Sequence, residues 1–174
     1  NTDLNASSTK HGLLPKLSGS TPSPTTWAVP ANVIIMAADE VNDNATPNTL
    51  ENLTGMAFSV TAGETYWFSA VIPYTAAATT TGSRWVTSGP AITMLNGWSQ
   101  YTLTATTLTS NFFSAHAIPA GCNASSLAAG NVAFIEGVFK PSASGTLQLQ
   151  FASEVAGSAI TAKAGAILEW RRVA

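Results

Sequence analysis

The stretch Asn131-Val-Ala-Phe-Ile-Glu-Gly-Val-Phe-Lys140, Pro141-Ser-Ala-Ser-Gly145, Thr146-Leu-Gln-Leu-Gln-Phe-Ala152 reads as strand, turn, strand. Leu147, Leu149 and Phe151 alternate with Thr146, Gln148 and Gln150, and a period of two sends the first set inward and the second outward. A proline, two serines and a glycine between the two runs make a turn and interrupt any helix. Downstream, Ala164 to Val173 keeps the same period, with Ala166, Leu168 and Trp170 opposite Ile167, Glu169 and Arg171.

Working outward toward the N-terminus, Thr65 to Tyr74 sets Tyr66, Phe68, Ala70, Ile72 and Tyr74 on one side and Trp67, Ser69 and Val71 on the other. Large residues on both sides predict a central strand or a subunit contact, and Trp67 is the predicted contact residue. Met56, Phe58 and Val60 share one face of a further strand, which Thr61-Ala-Gly-Glu64 turns away. Asn32 to Ala38 is a first strand candidate, closed by the acidic turn Asp39 to Pro47. Strands are also predicted over Ser83 to Thr87, Ala91 to Leu95, Ser99 to Thr106 and Asn111 to Ala117. Nine or ten short strands and no convincing helix make the chain all-β, a jelly-roll-like antiparallel β-sandwich over residues 32–174.

Residues 1–31 read as an extended N-terminal arm. Pro15, Pro22, Pro24 and Pro30 rule out helix and central strand over most of it. Yet the arm carries Leu13, Leu14 and Leu17, and ends in Trp27-Ala-Val-Pro-Ala31. These apolar side chains sit in a segment that cannot build a core of its own.

Hydrophobic residues form 45% of the 174 residues and charged residues only 9%, against about 25% charged in ordinary globular proteins. Serine and threonine, roughly a quarter of the chain, supply polarity instead and favour strands. A formal net charge of −2 with seven Lys and Arg lacks the basic stripe that phosphate backbones need, so nucleic acid is not a predicted partner. No apolar run of 18 residues predicts membrane insertion, and the N-terminus lacks the order of a signal peptide.

Catalytic signals are sparse. His11 and His116 have no motif naming a partner, and one Cys122 with two histidines cannot supply a zinc set. The loop Asp39 to Asn44 concentrates oxygen ligands but lacks the glycine and the later glutamate of an EF-hand. Four Asn-x-Ser/Thr sequons, at Asn5, Asn44, Asn52 and Asn123, fit chance in a Ser/Thr-rich chain. Glu136 and Glu154 lie beside strands, and a depolymerase would need such a pair to converge in a groove. No cofactor is predicted. Trp85, Trp98 and Tyr101, with Phe112 and Phe113, lie around mid-chain loops where an aromatic ring could stack on a sugar, while core or interface packing is the expected use of each.

The segment Thr9-Lys-His-Gly-Leu-Leu-Pro-Lys-Leu-Ser-Gly19, followed by Thr26-Trp27-Ala28-Val29-Pro30, resembles a linker of tailed-bacteriophage fibre and virion surface proteins. The family's Gly-Asp-Gly-Thr-Trp ending is replaced here by Ser, Pro and Thr residues. The remainder is similar to the C-terminal β-sandwich attached to such linkers, in Phe58 to Tyr66, Thr79 to Trp85 with Ser88 to Pro90, Ile135 to Thr146, Phe151 to Val155 and Ala164 to Trp170. The resemblance implies a homotrimer on the virion surface, as tail fibre, head fibre or capsid decoration, with an outward knob. Other virion proteins would be partners through the arm, and a host-surface glycan a partner of the knob. Three copies of Leu13, Leu14 and Leu17 would then bury one another around a threefold axis. The competing reading is a monomeric carbohydrate-binding module of a secreted enzyme or adhesin, with the arm as an ordinary linker.

Overall fold

The computed structural model describes residues 32–173, so the arm with Leu13, Leu14, Leu17, Trp27 and His11 lies outside the described residues. Eleven strands form among them: β1 (Val33–Ile35), β2 (Glu40–Asn42), β3 (Glu51–Val60), β4 (Tyr66–Ala76), β5 (Ser83–Ser88), β6 (Ile92–Thr104), β7 (Thr107–Phe113), β8 (Asn131–Pro141), β9 (Gly145–Ser153), β10 (Ile160–Ala162) and β11 (Ile167–Arg172). The larger sheet runs β1-β11-β4-β8-β6-β7, with β10 between β2 and β4, and the smaller runs β3-β9-β5. Every pairing is antiparallel. The chain passes between sheets at β2–β3, β3–β4, β4–β5, β5–β6, β8–β9 and β9–β10, which is the shuttling of a jelly roll.

The alternation decides what is buried. Tyr66, Phe68, Ala70, Ile72 and Tyr74 on β4, Met56, Phe58 and Val60 on β3, and Leu147, Leu149 and Phe151 on β9 all point into one core. Trp85 joins them, its ring 4.8 Å from Tyr74 and stacked 5.3 Å from Phe151. Phe58 stacks on Trp170 at 4.7 Å.

Pro73 lies inside the central strand β4, where a missing N–H would normally cost a ladder bond. Its carbonyl accepts from Lys163 N at 2.9 Å, so its nitrogen faces the same neighbour. That neighbour is interrupted there. Ala162 pairs with Tyr74 and Ile167 with Val71, so Lys163 to Ala166 pass opposite only Ile72 and Pro73. Gly165, at φ 88°, makes the step. Met36 steps with it, donating to Ala166 O and accepting from Gly165 N, each at 2.8 Å.

Some boundaries differ from the sequence reading. The strands expected over Ala91–Leu95 and Ser99–Thr106 merge into one, β6 (Ile92–Thr104), because the chain turns at Ala105-Thr106 and not at Asn96-Gly97. The strand expected over Asn111–Ala117 is β7, which begins at Thr107 and ends at Phe113. The acidic turn contains β2, which pairs with the unforeseen β10.

Among the described residues, the outer side of β5 has no regular partner strand. Irregular backbone takes that place, with Ala117 N donating to Thr87 O at 2.9 Å and Asn123 N to Ser83 O at 3.0 Å. Arg84, buried, donates through Nε to Pro119 O and through Nη2 to Ala117 O. The Asn123 amide links the same segment to Thr102 O and Thr109 Oγ1, both at 3.0 Å. Charged side-chain donors thus replace part of a ladder. Arg84→Met keeps the apolar stem and removes both donors, and is expected to lower unfolding free energy by about 2 kcal/mol. A urea midpoint equal to that of the unaltered chain would show that the segment is held without Arg84.

Candidate interaction surface

The outward face of the larger sheet gathers the exposed large residues that alternation leaves outside the core. Register places Ile35 opposite Ile167, Ile167 opposite Val71, and Val71 opposite Phe134. These four form one apolar row across β1, β11, β4 and β8, about 14 Å wide at three strand spacings. Ile35 is 53% exposed, Ile167 43% and Val71 39%. Beyond Phe134 the row turns polar, where Gln100 Nε2 donates to Ser110 Oγ at 2.9 Å.

The next row along the strands carries charge. Val33, Glu169, Ser69, Glu136, Trp98 and Phe112 face one another in that order. The third holds Arg171, Trp67, Val138 and Asn96. Trp67 lies here, half-buried, as expected from its side of β4. The Arg171 guanidinium sits 4.9 Å from its ring centroid, a cation–π contact, and Trp67 Nε1 donates to Glu136 Oε1 at 3.4 Å.

Of the aromatics named as able to stack on a sugar, the structure leaves Trp98 and Phe112 on the outward face. Trp85 and Tyr101 are fully buried, which corrects their reading as ligand-facing residues. Trp85 is covered by the core, where its Nε1 donates to Ser83 Oγ at 3.0 Å. Tyr101 accepts from Asn111 Nδ2 at 3.2 Å, and burial pushes its phenol up to about 12. Trp98 remains half-buried on the outward face, directly opposite Phe112, whose ring is 87% exposed. Beside this pair Asn96, Gly97, Trp98, Phe112, Phe113 and Ser114 line an open hollow of about 430 Å³.

Gly97 lets β6 pass over the Phe113 ring and close against β8. A Cβ there would fall 2.4 Å from Glu136 O and 2.5 Å from the Phe113 ring, because Phe113 turns inward under the strand. Any side chain would push two strands apart.

Asp39 and Asn42 of the acidic turn are engaged structurally. The Asp39 carboxylate accepts from Lys163 Nζ and from Ala164 N, which holds it below its usual value, and Asn42 is buried with its amide on Thr49 O and Phe151 O. Among the described residues no three His, Cys, Asp or Glu side chains gather as metal ligands. Burial pushes the Cys122 thiol up to about 12, far from a reactive thiolate. Glu136 lies on β8 and Glu154 just past the end of β9 in the other sheet, where it accepts from Gly82 N at 3.2 Å.

His116 packs edge-on to Phe139 at 5.6 Å, with Nδ1 3.0 Å from Thr87 Oγ1 and Nε2 3.3 Å from Pro90 O. Burial holds its pKa below 6.5, against an opposing effect of the Pro90 carbonyl. The folded state therefore prefers the neutral ring. Its contribution to stability is complete above the unfolded value near 6.5 and is lost as pH falls through the lowered folded value. Thermal midpoints measured between pH 7 and about 5 should fall for the unaltered chain. They should fall less for His116→Gln, and equal slopes would remove His116 from the account.

No family model, curated protein or solved structure matches the chain.

Proposed function

We propose that the chain is a non-enzymatic structural component of a bacteriophage virion, a homotrimeric fibre or capsid-decoration protein. Its β-sandwich is the outward knob at the virion surface, and residues 1–31 anchor it to other virion proteins. The observation that carries this reading is the apolar row Ile35, Ile167, Val71 and Phe134 on the outward sheet face. Three of its members are more than a third exposed in a single copy, and a second copy would cover them. An uncharged apolar strip has the composition of an interface centre. The linker phrase from His11 to Gly19 supports the virion setting. Host attachment is the role that suits a knob carrying an exposed aromatic pair.

A monomeric carbohydrate-binding module of a secreted enzyme or adhesin is the second reading, favoured by the same Trp98–Phe112 pair. Solution mass separates the two. Light scattering on the full chain should give three times 17.9 kDa. Val71→Asp, which places a charge in the apolar row, should reduce that to the monomer with the strand signature in circular dichroism unchanged. A monomeric full chain at every concentration would reject the trimer.

A further inference from the structure

We propose that Trp98 and Phe112, with the hollow beside them, form a platform for one neutral sugar ring of a glycan. This deepens the attachment role given above and rests on it, but it does not require the trimer. The two residues stand directly opposite on β6 and β7, at the far end of the sheet from β1. Phe112 is far more exposed than any other large hydrophobic residue described, and it contributes nothing to the core. The hollow's volume of about 430 Å³ lies within the range of small-ligand sites, about 300–1,000 Å³.

The chemistry around the rings selects the ligand. An aromatic face takes the C–H face of a pyranose, while the rim must take its hydroxyls. Asn96 offers an amide and Ser114 a hydroxyl at the hollow, and Glu136 lies opposite Trp98 on β8. A nucleobase could also stack on these rings, but it would bring phosphate, and this cross-strand row holds Glu169 and Glu136 and no cation. The Arg171 guanidinium of the neighbouring row is over Trp67. The Glu136 carboxylate next to Trp98 disfavours acidic sugars, which leaves a neutral hexose or N-acetylhexosamine. One ring on an open platform binds weakly, and repeated copies on one particle would raise the avidity.

Phe112 tests the platform because its truncation leaves the core intact. The full chain and Phe112→Ala are applied to an array of glycans ending in neutral hexose, N-acetylhexosamine or sialic acid, with thermal midpoint and solution mass recorded for both. The expected result is retention on neutral glycans and about tenfold weaker apparent affinity for Phe112→Ala, the loss of one stacking contact, with midpoint and mass unchanged. Retention on no glycan, retention on sialylated glycans alone, or equal retention of both proteins would overturn the proposal. So would a fall in mass of Phe112→Ala, which would make the pair a contact between copies. A monomeric unaltered chain that still loses neutral-glycan binding in Phe112→Ala would remove the trimer and leave the platform standing.

Discussion

A buried indole N–H must find an acceptor, and in this chain the acceptor lies on a path between the two sheets. Trp85 Nε1 donates to Ser83 Oγ, Ser83 Oγ to the Tyr74 hydroxyl at 3.3 Å, and Tyr74 to Thr102 O at 3.3 Å. The relay starts on β5 of the small sheet, crosses to β4 and ends on β6 of the large one. Apolar packing between sheets is tolerant of small slides, whereas a hydrogen-bonded file inside the core is not. The relay therefore fixes the offset of the sheets, and with it the position of every outward residue on β4 and β6. Burial raises the Tyr74 phenol above its ordinary value, so at neutral pH the proton this file needs is in place.

With the sheets held, the outward face divides by charge. The apolar row of Ile35, Ile167, Val71 and Phe134 is separated from the Trp67 row by Glu169 and Glu136. Glu136 takes the Trp67 indole proton, and Arg171 covers the ring of the same tryptophan. A face arranged this way offers two distinct surfaces on one sheet: an uncharged strip toward the β1 edge and an aromatic pair toward the β7 edge. Pro73 contributes to the first, since the step it forces in β10 and β11 comes next to Val71 and Ile167.

Alternation was legible wherever one face of a strand meets the core and the other meets water. The inward sets of β4, β9 and β11, and the turn at Pro141 to Gly145, follow directly from the period of two. Trp85 and Tyr101 were legible as aromatics with two uses, packing or sugar stacking, and the structure gives them the first. β5 is buried along nearly its whole length, because Arg84 and Asn123 draw irregular backbone from 30 to 40 residues downstream over its outer side. No local pattern records that cover. The three-residue strands β2 and β10 have too few positions to show a period at all. Of the candidate surface, Trp67 and Trp98 were visible as single residues. The apolar row was not, because its members come from four strands as distant as Ile35 and Ile167 and meet only through register.

Gly97 has one more consequence. The Cβ shared by every other residue is excluded at this position by Glu136 O and the Phe113 ring. Trp98 and Phe112 point away from that crowding. Sequence drift can therefore exchange the two outward rings for other side chains at little cost to the fold, while the backbone that presents them stays fixed. In a lineage of such chains, variation would be channelled into the displayed faces, so that what is bound could change faster than the scaffold that holds it.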